Sequence, residues 1–184
     1  MSPFKLLSIL LLLIIFISGN VFAQQMKIES VTVHEFKTPV LKEKEVNPIF
    51  RIQIETTGKK NPVSLQNINL EINGTDIQND IKEISIFYSE DKPFLRDGIL
   101  FGTPEKPNKL VKISGVQKLA KGTNNFWVSF KLKENANILN ELSANCLSLI
   151  INKKEIKPEI KPPSISKKLG IALRKHNDNG VGTN

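Results

Sequence analysis

Cysteine is all but absent from this chain: Cys146 stands alone among 184 residues. A secreted fold braced by disulfides carries an even set, so a compact structure here must rest on its core. Cys146 sits among Leu147, Leu149 and Ile151 and reads as a small buried hydrophobe rather than a nucleophile. Histidine is as scarce. His34 and His176 lie far apart, and no zinc spacing follows from them. There is no glycine-rich phosphate loop and no Gly-x-Ser-x-Gly elbow. No strand–helix–strand rhythm appears, which excludes a nucleotide-binding α/β fold. No internal repeat is present.

What is there begins with a leader. Lys5 gives a positive start, Leu6 to Ile17 is nearly unbroken Leu, Ile and Phe, and Val21-Phe22-Ala23 ends in a small-residue cleavage pattern. Residues 1–23 therefore read as a cleavable signal peptide, too short for a comfortable membrane span, with an uncleaved anchor as the alternative. The expected location is secreted or periplasmic, with no stable membrane span after cleavage. The net charge is +8, and Lys5 is the only charge the leader takes with it. The excess is lysine-rich and late, at residues 153–175. A basic balance can serve nucleic acid, but no aromatic-interleaved basic patch occurs, so nucleic acid is discounted and a solvated surface is expected.

The cleanest periodicity runs through 122–133. Phe126, Val128, Phe130 and Leu132 alternate with Trp127, Ser129, Lys131 and Lys133, the signature of a strand with one greasy face and one mostly wet face. Gly122 and the asparagines after it launch that strand. Further strands are expected at 26–36, around Phe50–Ile54, from Val63 to Ile72, and at Ile81–Ser89. Shorter ones are expected at Leu110–Ile113, Val116–Leu119 and Leu147–Ile151. Parity breaks near Ile28 and between Leu65 and Ile68 point to bulges. Asn73-Gly74 signals a tight turn, and with Thr75 fits the N-glycosylation pattern. Residues 90–108 read as loop, 135–142 as a helical turn or two, and Glu155–Pro163 as an extended linker. The expected fold is all-β: an antiparallel, jelly-roll-like β-sandwich of seven to eight strands. Its expected boundaries are 24–160, with 161–184 a linker and tail without partner strands.

Chemistry is harder to find. Glu90-Asp91 lies where charge is ordinary, and Asp76, Asn79 and Asp80 crowd together without a calcium-loop pattern. No metal site and no cofactor are expected. Trp127, the only tryptophan, falls on the wetter face of its strand. Packing under a loop, docking against a neighbouring domain and stacking on a sugar are all open to it.

Four stretches, in order, carry a resemblance: Ile84–Tyr88, Leu100-Phe101-Gly102, the Gly-x-Asn-x-Phe-Trp of Gly122–Ser129, and Ala144–Ser148. Across about residues 27–160 the chain resembles the N-terminal domain that precedes the catalytic propeller of bacterial exo-α-sialidases (BNR-repeat neuraminidases). Leu169–Gly180 is similar to the passage into that propeller, where an aromatic-Arg-Ile-Pro motif follows in the family. The chain's 184 residues do not contain it, so the resemblance implies a domain truncated at the propeller's start. Sialidase chemistry needs an arginine cluster, an acid/base aspartate and a tyrosine nucleophile paired with a glutamate. The only tyrosine is Tyr88, and the only arginines are Arg51, Arg96 and Arg174. None matches a family catalytic position. The resemblance thus implies a non-catalytic domain whose partners are a sialidase propeller or glycans, with Trp127 the one candidate binding residue. A free-standing carbohydrate-binding or adhesion module is the alternative.

Overall fold

The computed structural model describes residues 24–92, 95, 98–103, 105–159 and 166–171. The leader, most of the tail, Arg96, Arg174 and His176 lie outside the described residues. Seven strands are nine or eleven residues long: β1 (Lys27–Glu35), β3 (Asn47–Thr57), β4 (Ser64–Gly74), β5 (Ile81–Ser89), β7 (Leu110–Lys118), β8 (Gly122–Leu132) and β9 (Glu141–Ile151). Four more are short: β2 (Val40–Leu41), β6 (Ile99–Leu100), β10 (Lys154–Ile156) and β11 (Lys167–Gly170). The described helix content is one turn, Ile77–Asp80.

The strands form two sheets, ordered β1-β3-β8-β5-β6 and β2-β11-β9-β4-β7, with β10 also paired to β9. All pairs are antiparallel except β11 with β2. The chain changes sheet at every connection but β5–β6, β9–β10 and β10–β11. The result is the expected sandwich. Phe50, Ile52, Ile54, Ile84, Ile86, Phe126, Val128 and Phe130 of one sheet bury against Leu65, Ile68, Leu70, Ile113, Cys146 and Leu149 of the other. At about 1.5–3 kcal/mol per fully buried Leu, Ile or Phe, this core stands in for disulfides.

Both expected bulges occur. The β1–β3 register shifts between Ile28 and Ser30. In β4 the shift falls between Leu65 and Asn67, leaving Gln66 over to accept from the Lys153 amide at 2.7 Å.

Several expectations need correction. The alternate face of β8 is not wet. Asn125, Trp127 and Ser129 are buried as fully as the core positions, because β8 is the middle strand of five and its outer face is roofed by side chains. Asn73-Gly74 makes no hairpin. Gly74 continues the ladder opposite Leu142, where a Cβ would meet Leu142 Cδ2 at 2.5 Å, so close approach rather than turn geometry requires glycine. Leu110–Lys118 is one strand through Gly115, whose missing Cβ leaves room for the backbone of Gly102 at 2.9–3.0 Å. Residues 133–140 form successive turns instead of a helix, and Leu139 is 86% exposed.

The stretch from Glu155 is not all linker. Asn152 and Lys153, at φ 46° and 65°, form a two-residue hairpin that folds β10 back on β9. The tail finds partners too: Leu169 and Gly170 pair with Val40 and Leu41, and Lys167 and Lys168 with Leu142 and Glu141. Only Lys167 and Leu169 point inward, too short an alternation to stand out in a lysine-rich run.

Candidate functional site

Trp127 lies in a cross-strand row that spans the five-stranded sheet: His34, Arg51, Trp127, Phe87 and Leu100 are successive partners. Side chains opposite one another on a sheet face are in contact range. Phe36, just past the end of β1, folds over this row and stacks on the indole, centroids 5.5 Å apart and planes 6° off parallel. The Arg51 guanidinium stands 5.4 Å from the ring centroid. The indole N–H donates to Ser89 Oγ at 3.0 Å, and the Ser89 hydroxyl donates to the Lys92 carbonyl at 3.0 Å. The indole is left 5% exposed. Its faces and its donor are in use, and a sugar could stack there only after Phe36 moved.

Two buried polar atoms on this face have no hydrogen-bond partner: Arg51 Nε and Asn125 Oδ1. Burial pulls the Arg51 guanidinium below its ordinary value. Burial, then the Arg51 charge, does the same to His34, against a weaker opposing hydrogen bond with Gln53.

Three of the four motif stretches meet elsewhere, inside the sandwich. Gly122 takes φ 97°, a left-handed conformation that favours glycine, as β8 begins. Asn124, 0% exposed, then serves as the hub of that turn. Its Nδ2 donates to the carbonyls of Ala120 at 2.9 Å and Gly122 at 3.1 Å, and its Oδ1 accepts from the Ala120 amide at 2.8 Å. Oδ1 also accepts from the Tyr88 hydroxyl at 2.9 Å. Phe126 packs against Tyr88 (4.9 Å) and edge-on to Phe101 (5.5 Å). Burial first, and the Glu90 charge second, push the Tyr88 phenol up to about 12. A phenol that is buried, bonded and this reluctant to ionise is a poor nucleophile.

The acidic candidates are structural as well. Asp76 caps the helical turn by accepting from the Asn79 amide at 3.2 Å. Asp80, buried, accepts from the Asn137 amide at 2.9 Å and Asn140 Nδ2 at 2.8 Å, pinning the 133–140 turns. Among the described residues no three His, Cys, Asp or Glu side chains converge. Cys146 is in the core.

Two open clefts escaped the sequence reading. One, about 740 Å³, is walled by Lys42, Lys82, Lys131 and Lys133 with Glu43 and Glu45, and Ile171 lies in it. Within it Lys131 is ion-paired to Glu45, and Lys133 Nζ donates to the Gln78 carbonyl at 2.7 Å. The other, about 470 Å³, lies on the outer face of the six-stranded sheet between Leu110, Lys112, Leu147 and Lys157. Each gathers residues from strands far apart in sequence, so no local pattern announces either.

Comparison with known proteins agrees with the fold. A family profile described as the N-terminal domain of BNR-repeat neuraminidase matches residues 28–105 and 98–155. A sialidase from Bacteroides fragilis (strain YCH46) is 23% identical over 177 residues, covering 82% of this chain and 32% of that protein. The solved structure of a Hadza microbial sialidase, Hz136, superposes with a TM-score of 0.63 at 20% identity, covering 76% of this chain and 31% of that one. The chain therefore spans about a third of the length of each of these two relatives.

Proposed function

This chain belongs to the family of N-terminal domains of BNR-repeat neuraminidases, and on that premise we propose that it is the non-catalytic accessory domain of a secreted exo-α-sialidase. The catalytic propeller would release terminal sialic acids, and this domain would pack against it. Residues 1–23 would direct export, residues 24 to about 171 would form the sandwich, and the remainder would lead into the propeller.

The observation that carries the non-catalytic half is the fate of Tyr88. The one tyrosine in the chain is in the core, its hydroxyl given to Asn124. Arg51, the only described arginine, is committed to the indole of Trp127 and to Gln53 Oε1 at 3.1 Å. Support for the docking half comes from Ile171, the residue after β11, which lines the lysine-walled cleft. A partner joined at that point meets this end of the molecule first. The cleft's mixed Lys and Glu lining suits the polar interfaces typical between domains of one chain.

The test is hydrolysis of a fluorogenic sialoside by the purified chain. No turnover above buffer is expected. Saturable turnover that survives further purification would overturn the reading.

A further inference from the structure

The outer face of the six-stranded sheet carries a cleft that the fold does not use. Its floor holds a polar pair from β4 and β9: Asn69 Nδ2 donates to Ser148 Oγ at 2.9 Å. The register of these strands breaks at this point. Asn69 is opposite Ser148 and Leu70 opposite Cys146, which leaves Leu147 as an extra residue in β9. A bulge of this kind re-aims a side chain. Here Leu147 joins the cleft lining with Leu110 of β7, itself 63% exposed. Lys112 on β7 forms one wall, and Glu155 on β10 with Lys157 just beyond it forms the other.

We propose that this cleft is a binding site for an acidic oligosaccharide. Its volume of about 470 Å³ suits a small ligand. Amide and hydroxyl groups on the floor match sugar hydroxyls, which both donate and accept. Leu110 and Leu147 offer apolar contact to the C–H face of a ring. The ammonium groups of Lys112 and Lys157, on opposite walls, attract a carboxylate, and Glu155 accepts from a hydroxyl. A stacked base finds no aromatic side chain in the lining. The place of the site rests on the fold alone, whereas the choice of a sialylated probe rests on the sialidase kinship. The docking proposal concerns the lysine-walled cleft at Ile171, which shares no lining residue with this one.

The test is a titration of the isotope-labelled chain, from residue 24 onward, with 3′-sialyllactose, read as amide NMR shifts. Saturable shifts are expected at Asn69, Leu110–Lys112 and Leu147–Ser148. Binding should weaken about fivefold in Lys112→Ala/Lys157→Ala, the loss expected for two solvent-exposed ion pairs, and should fall with added salt. Lactose, which lacks the carboxylate, should bind as weakly as the double variant binds the sialylated sugar. Both lysines are exposed, so the double variant should keep the spectrum of a folded chain. No shift up to about 10 mM ligand, a range reaching the weakest useful affinities, would overturn the proposal. So would shifts confined to other residues, or equal affinity in the double variant. Absence of sugar binding alongside an inert sialoside assay would remove this site and leave the accessory-domain reading standing.

Discussion

The hydroxyl of Tyr88 donates to Oδ1 of Asn124 at 2.9 Å, tying the end of β5 to the turn that starts the neighbouring central strand, β8. Both residues lie within the span that the family profile matches. The asparagine closes the turn, and its Oδ1 also accepts from the phenol buried beside it.

Stability should depend on the ionisation of Tyr88. Its pKa is raised to about 12 in the fold, above an unfolded value near 10. The fold therefore favours the neutral phenol. Its contribution is complete below about pH 10 and is lost as pH climbs towards 12. Thermal melts across that range should fall more steeply for the unmodified chain than for Tyr88→Phe, which has no phenol to ionise. Parallel curves would contradict this.

Trp127 should report on packing. Trp127→Ala removes the Phe36 stack, the Arg51 contact and the Ser89 hydrogen bond together. A loss of about 3–5 kcal/mol is expected, the range for large aromatics truncated in cores. Phe36→Ala should keep the fold yet shift the emission of the single tryptophan to longer wavelength, since it uncovers one indole face. An unshifted spectrum would mean that Phe36 does not roof the ring.

Lys167 should be a destabilising residue. It is 3% exposed, and its Nζ has no hydrogen-bond partner. Burial lowers its pKa, with the Glu35 charge acting in opposition. A lysine whose folded pKa is depressed weakens the fold while protonated, and the deficit fades as pH rises towards its unfolded value near 10.4. Lys167→Met should therefore raise stability at pH 7 by on the order of 1 kcal/mol. The gain should shrink at pH 10. An equal gain at both values would assign the effect to packing instead.

Long alternations were legible in the sequence because a strand with one apolar face writes period two into the chain, as β3, β5 and β8 do. The bulges near Ile28 and Leu65 were legible for the same reason, as lapses in that period. What the sequence hid depends on neighbours. β8 looked half-wet because Trp127, Asn125 and Ser129 read as surface residues, and nothing local indicates that Phe36 and Arg51 will cover the indole. β6, β10 and β11 are too short to alternate convincingly, and the Asn152-Lys153 turn lacks the glycine that usually betrays a hairpin. The cleft over Asn69 and Ser148 needs residues 69 to 157 brought side by side, so only topology could reveal it.

The most direct test of the whole account is the unfolding free energy of Asn124→Ala in urea. Removing this side chain takes the Asn124 oxygen from both the Tyr88 hydroxyl and the Ala120 amide, while Thr56 Oγ1 still donates to the Ala120 carbonyl at 2.6 Å. At least about 2 kcal/mol should be lost, with Tyr88→Phe recovering part of it in the double variant. An Asn124→Ala chain as stable as the original would contradict the account, because the Asn124 network would then not be what holds this part of the fold together.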